Sequence, residues 1–181
     1  MYDVSDLLYR GLSAQAPPFG RAAARHDPIN LALLASCTIF AAMETKILFV
    51  CLGNICRSPA ADGIMRHIVR ERGLGAEVAV DSAGTYAGHT GELPDARMRR
   101  AASRRGYELT HRARQIREED FGKFDMIVVM GDRNYEHVHR LAPSRADAAR
   151  IFRMREFFSR HPGWDHVPDP YYEGAEGFEL V

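Results

Sequence analysis

Residues 46–59 read KILFVCLGNICRSP, and their order decides the fold. Ile47, Leu48, Phe49 and Val50 form an unbroken apolar run, the pattern of a strand covered on both faces of a sheet. The run ends at Cys51. After the short loop, Ser58 can cap a helix, Pro59 suits its first position, and Ile64, Met65, Ile68 and Val69 recur at helical spacing up to Gly73. A buried strand that passes through one tight loop straight into a helix is the opening unit of an α/β sheet.

The same alternation continues outward. Glu77 to Ser82 reads as a second strand, Asp95 to Arg105 as a helix ended by Gly106, and Met126 to Met130 as another fully buried strand. A helix from about Asn134 to Leu141 and a short strand near Ile151 complete the series. Together they predict a single α/β domain with an open, mainly parallel sheet and helices on both faces. A chain of 181 residues suits one such domain better than two. Its 24 basic and 24 acidic residues cancel, so no charge excess points to nucleic acid or an anionic membrane as partner. Three cysteines, two of them in one loop, do not make a secreted disulfide framework; they point to the reducing cytoplasm.

The first 42 residues read differently from the rest. Arg10, Arg21, Arg25 and the apolar run Leu31 to Leu34 make a poor secretory signal, because the run is brief and follows some thirty mixed residues. Leu34-Ala35-Ser36-Cys37 resembles a lipoprotein cleavage site, but Met43 and the first strand follow almost at once, leaving no tether. The segment is expected to be a disordered extension, or the product of a start upstream of a true one at Met43, with the domain covering 43–181. No stretch approaches the ~20 apolar residues of a membrane helix.

The chemistry sits in the loop. A strand-to-helix loop can turn successive backbone N–H groups inward to form an anion site, reinforced by the positive end of the helix dipole. Leu52, Gly53, Asn54, Ile55, Cys56, Arg57 and Ser58 are the candidate phosphate-binding loop, with Gly53 permitting the bend. An anion cradle favours the thiolate of a cysteine at its base, which makes Cys51 the candidate nucleophile. Arg57 can grip two phosphoryl oxygens with a planar guanidinium, and Ser58 can donate a hydrogen bond to the sulfur when it leaves. A cysteine and an arginine at this spacing also arise by chance; read blandly, Cys51 is a core thiol and Arg57 a surface helix residue. Their place at a strand-to-helix junction argues against that.

The loop resembles the signature of the low-molecular-weight protein tyrosine phosphatases. The likeness runs from about Lys46 to the end and includes DSAGT at Asp81 to Thr85, HRARQI at His111 to Ile116, EDFGKFDMIVVM at Glu119 to Met130, and DPYY at Asp169 to Tyr172. It implies a four-stranded parallel sheet of flavodoxin-like appearance and hydrolysis of phosphotyrosine through a phosphocysteine, with no metal and no cofactor. It also implies that Asn54, Ser58, Ser82 and His111 form a supporting hydrogen-bond network and that Asp169 is the general acid. Taken alone, His111 reads as an ordinary surface histidine, Ser82 as a strand-end hydroxyl and Asp169 as a turn former before Pro170. Cys56 lies close enough in sequence to capture an oxidised Cys51 as a disulfide; its bland role is to fill the loop. The implied partners are phosphate or other oxyanions in the loop and a phosphotyrosine protein, with a bacterial tyrosine autokinase as one candidate.

The chain departs from the family pattern in three places. An aromatic residue usual before the position of His89 is Gly88 here, leaving Tyr86, Tyr171 and Tyr172 to wall the cleft. The usual Met-Asp pair after the third strand becomes Met130-Gly131-Asp132. The last residues, Gly177 to Val181, fall where relatives begin a closing amphipathic helix, so that helix is expected to be truncated. The arginines from Arg97 to Arg117 read first as a solvated face and second as a docking surface for acidic tails. His137 and His139, two apart on a helix, point different ways and make no metal site. Three rival functions remain. An arsenate reductase would need further cysteines after Cys56, an arginine phosphatase has threonine where Ile55 stands, and a phosphotyrosine-binding module needs neither nucleophile nor acid.

Overall fold

The computed structural model describes residues 44–158 and 163–181. β1 (Thr45–Cys51) lies inside a four-stranded sheet, with β2 (Val78–Gly84) on one side and β3 (Met126–Val129) on the other. β4 (Ile151–Arg153) pairs outside β3, giving the order β2-β1-β3-β4 with every pair parallel. The helices are α1 (Arg57–Glu71), α2 (Ala96–Ser103), α3 (Asp132–Leu141), α4 (Arg145–Ala148) and α5 (Ala175–Leu180). The apolar run of β1 is covered on both faces, as its composition requires. Ile47, Phe49 and Cys51 join Met65 and Val69 of α1 in one core cluster, while Leu48 and Val50 pack with Phe121 and Val138 on the opposite face. The register sets Cys51 beside Gly84, and Val50 beside Val129. Because the chain leaves β1 for β2 and returns on its other side to β3, the strand order reverses beside β1. That reversal is where sheets of this kind open a crevice.

Two expectations for the first helix change. It begins at Arg57, with Cys56 at the cap position and no side-chain cap bond. Ser58 is therefore not a cap: its hydroxyl turns back toward Cys51 and the Ala83 carbonyl, and Pro59 stands third in the helix. Among the described residues no side-chain acceptor caps the first-turn N–H groups, as an anion cradle requires. By contrast Asp95 does cap α2, accepting from Arg97 N at 2.7 Å, and Gly106 takes the left-handed φ of 82° just past the helix end. β2 runs to Gly84 rather than Ser82 because it stays paired with β1 as far as Cys51.

A third cluster lies beneath the loop, where Ile55, Cys56 and Ala60 meet Met98, Ala101, Leu109 and Phe178. α5 has only six residues, but it is anchored: Phe178 is buried under the Arg97 guanidinium 4.4 Å away, and Glu179 pairs with Arg104 and Arg105. Between α1 and the residues of α5 runs an apolar groove of about 340 Å³, with Ile64, Ile68, Met98 and Met154 among its walls. The expectations for residues 1–42 lie outside the described residues. Among the described residues no helix is long and apolar enough to cross a membrane.

Candidate active site

The residue that bends the loop is Asn54, at φ 55°, and not Gly53. Asparagine tolerates the left-handed region, and here its side chain holds it there. Nδ2 donates to Ser58 Oγ and to Ser82 Oγ, each at 2.9 Å, while Oδ1 accepts from His111 Nε2 at 3.0 Å and from Arg114 N at 2.9 Å. All four hydrogen-bonding positions of a fully buried amide are filled. Gly84 makes the close approach possible, since a Cβ there would lie 2.6 Å from Leu52 O. Two further bonds, Thr85 N to Cys51 O and Tyr86 N to Leu52 O, each 2.9 Å, zip the loop onto the end of β2.

Cys51 Sγ sits at the base of this loop and is 3.0 Å from Ser58 Oγ and 3.3 Å from Asn54 N, two donors of the kind a thiolate accepts. Ser58 has one proton to divide between Sγ and Ala83 O, 3.1 Å away. Arg57 is buried; Nη2 meets Asp169 Oδ2 at 2.5 Å and Nη1 donates to Val167 O at 3.3 Å. Its Nε is buried without a protein partner among the described residues, an orphan donor available to an anion.

Thus a loop read from nine letters brings a thiol, a guanidinium and a distant carboxylate together. The family model for low molecular weight phosphotyrosine protein phosphatases matches residues 46–181. A Streptomyces coelicolor low molecular weight protein-tyrosine-phosphatase is 42% identical over 138 residues, covering 76% of this chain and 84% of that one. The chain belongs to this phosphatase family. An Entamoeba histolytica protein tyrosine phosphatase, crystallised with Hepes in its active site, superposes with a TM-score of 0.73 at 39% identity, covering 76% of this chain and 86% of that one. A Drosophila arginine phosphatase shares the scaffold, with TM-score 0.69, 32% identity and coverage of 75% and 87%.

The departures from the phosphatase pattern now have physical accounts. A Cβ on Gly88 would lie 2.2 Å from the Tyr86 ring, so the ring of Tyr86 fills the space beside Gly88. Tyr86, Tyr171 and Tyr172 all line a cleft of about 200 Å³ above Cys51, Cys56, Arg57 and Asp169. His89 joins them, although the sequence reading gave it no role. Its ring lies 6.2 Å from Tyr86 and 6.4 Å from Tyr171, and Nδ1 is 2.9 Å from Glu92 Oε2. The only signal for it was its place next to Gly88.

Behind the loop, His111 Nδ1 is 3.3 Å from Asp81 Oδ1, and Arg114 joins Asp81 to Asp120, with 2.9 Å to each. Burial lowers the His111 pKa while the Asp81 carboxylate opposes it; Nε2 must carry a proton in either state to donate to Asn54. Asp81 and Arg114 were not singled out in the sequence, though they lie inside DSAGT and HRARQI. Cys56 is a buried thiol whose pKa burial pushes up to about 12, with Asp95 and Cys51 adding to the rise. The arginine run is largely structural: Arg97, Arg104, Arg105 and Arg114 are tied to carboxylates, and Arg99 and Arg112 to carbonyls.

Proposed function

We propose that Cys51, Arg57 and Asp169 hydrolyse phosphotyrosine on proteins. The Cys51 thiolate attacks phosphorus while the bond to the tyrosine oxygen breaks, and Asp169 delivers a proton to that oxygen. Arg57 and the loop N–H groups hold the three equatorial oxygens as charge spreads over them. Water then attacks the phosphocysteine, Asp169 takes its proton, and the sulfur leaves as thiolate while Ser58 donates to it. The observation that carries the reading is the convergence, on one cleft, of a cysteine receiving two hydrogen bonds with a buried Arg57 paired to a half-exposed Asp169.

Asp169 is bound to Arg57. A phosphate anion entering the loop competes for that guanidinium and frees the carboxyl to meet the leaving oxygen. The cleft walls favour a flat phenyl ring, offering stacking to Tyr86, Tyr171 and Tyr172. Oxyanions in general suit the cradle, and a tyrosine autokinase is the class of protein substrate we favour. We place the enzyme in the cytoplasm, where a reducing pool keeps Cys51 and Cys56 as thiols, and propose that Cys56 protects Cys51 from over-oxidation.

Turnover of an aryl phosphate with chelator present, compared with the Cys51→Ser variant, tests this function. The variant should fall below about one per cent of the parent rate while still binding oxyanions, because a serine alkoxide is hard to form and the backbone cradle persists. Substantial turnover by the variant would remove covalent catalysis by Cys51. Comparing phosphotyrosine with phosphoarginine peptides separates the rival reading on this scaffold, which Ile55 disfavours.

A further inference from the structure

Asp169 lies at the end of an irregular segment, residues 163–169, and its Oδ1 accepts from Tyr171 N at 3.3 Å in the 3₁₀ turn Pro170–Tyr172 that follows, so the backbone before it has to be held by other contacts. Its inner hold is clear. Val167 is buried, its N–H donates to Met130 O at 3.0 Å and its carbonyl accepts from Arg57. Two residues before Val167 there is an outer hold. Arg155 Nη1, from the 3₁₀ turn Met154–Phe157 that follows β4, donates to Asp165 O at 3.3 Å. The same nitrogen lies 3.1 Å from Asp132 Oδ2. Asp132 is in turn fixed by Arg153 Nε on its other oxygen at 2.6 Å, and the Arg153 guanidinium lies 3.5 Å from the Tyr135 ring centroid. The hydrogen bond from Arg153 holds the Asp132 carboxyl below its usual range.

The arrangement answers the Gly131 departure. A Cβ at Gly131 would meet the Cβ of His166 at 3.5 Å, so a side chain at that position would face this same segment. In this chain the acid stands one residue later and reaches the segment through an arginine.

We propose that Arg155, braced by Asp132, is a positioning residue that holds the backbone leading to Asp169 so that its carboxyl meets the leaving oxygen. The proposal rests on the reading of Asp169 as the acid. Arg155 touches no reacting atom, and its partners are partly exposed, so its contribution is modest: about three- to tenfold in the rate of phosphocysteine formation when the leaving group needs a proton. An activated phenolate, which leaves unaided, gains nothing from a well-placed acid.

The test is Arg155→Met, which keeps most of the stem and removes the donors. Single-turnover rates are measured across aryl phosphates of rising leaving-group basicity, alone and on the Asp169→Asn background. Arg155→Met should cost about three- to tenfold at the basic end, under twofold at the activated end, and nothing further once Asp169 is replaced. Equal losses along the series, or an undiminished loss on the Asp169→Asn background, would overturn the proposal. Amide exchange at Val167 gives a readout independent of turnover: it should quicken in Arg155→Met by a similar factor, and unchanged exchange would also overturn the proposal. If Asp169→Asn alone leaves the basic end untouched, the acid assignment fails, while exchange at Val167 still decides whether Arg155 holds the segment.

Discussion

Cys56 stands close to Cys51 in a loop too tight to move it far, yet its thiol is held protonated by burial, at about 12. Peroxide would add oxygen to the Cys51 sulfur and leave as water; attack by the Cys56 sulfur would then form the disulfide and expel hydroxide. Since only the thiolate attacks, that burial makes the closing step slow without forbidding it. Under mild peroxide the parent should lose activity and regain most of it with thiol, whereas Cys56→Ser should regain little because Cys51 passes on to sulfinic acid. Equal recovery would leave Cys56 as a packing residue only. At this scale residue type pointed to chemistry for Cys51 and Arg57 in the loop, whereas Asp169, which alone reads as a turn former, was singled out only by the resemblance. The sequence says little where position alone matters. Only its place beside Gly88 hints at His89 as a cleft residue, and nothing marks Val167 as the carbonyl that Arg57 holds. Gly53 looked like the bending residue because glycine adopts any φ; the buried amide network gives that task to Asn54 instead.

Among the elements, α1 carries the clearest energetic tension. Asp62 is buried on it, bonded by Arg66 Nε at 2.6 Å, yet burial outweighs that partner and raises its pKa from 3.8 to about 6. A carboxyl whose folded pKa is raised contributes stability fully present below pH 3.8 and lost as pH rises through about 6. Asp62→Asn removes that dependence. Relative to the parent, the variant should gain roughly 2 to 3 kcal/mol between pH 4 and pH 8, the value of about two pKa units, read from paired denaturant titrations. A parent-minus-variant difference that stays flat over this window would mean that Arg66 keeps Asp62 ionised throughout. The existence of α1 was plain from Ile64, Met65, Ile68 and Val69, as was β1 from its apolar run. Their ends were not. The serine that looks like a cap is spent on the nucleophile's sulfur, and a buried aspartate on an inward face breaks the polar-outside pattern by which helices are read.

For the whole molecule, the succession of strands and helices was legible because both faces of β1 demanded cover, and the site was read from the cysteine and arginine in the loop after β1. The register of four parallel strands was not, since continuous apolar runs carry no period to fix it. The N-terminal residues pose the remaining question at this scale. We propose that the domain starts at Met43. β1 is already paired at its first residue, where Thr45 N donates to Glu77 O at 2.7 Å, and among the described residues the three core clusters draw on Ile47 and later positions. A chain beginning at Met43 should therefore melt within about 3 °C of the full chain, the shift that ~1 kcal/mol produces in a domain of this size, and turn over aryl phosphate at the same rate. The groove beside α1 sharpens the comparison. Its apolar walls Ile64, Ile68 and Met154 would gain from any cover, at about 25 cal/mol per Å² buried. If residues 1–42 supplied that cover, removing them would lower the melting temperature by well over 5 °C and raise the binding of an apolar dye, and the domain boundary at Met43 would have to be withdrawn.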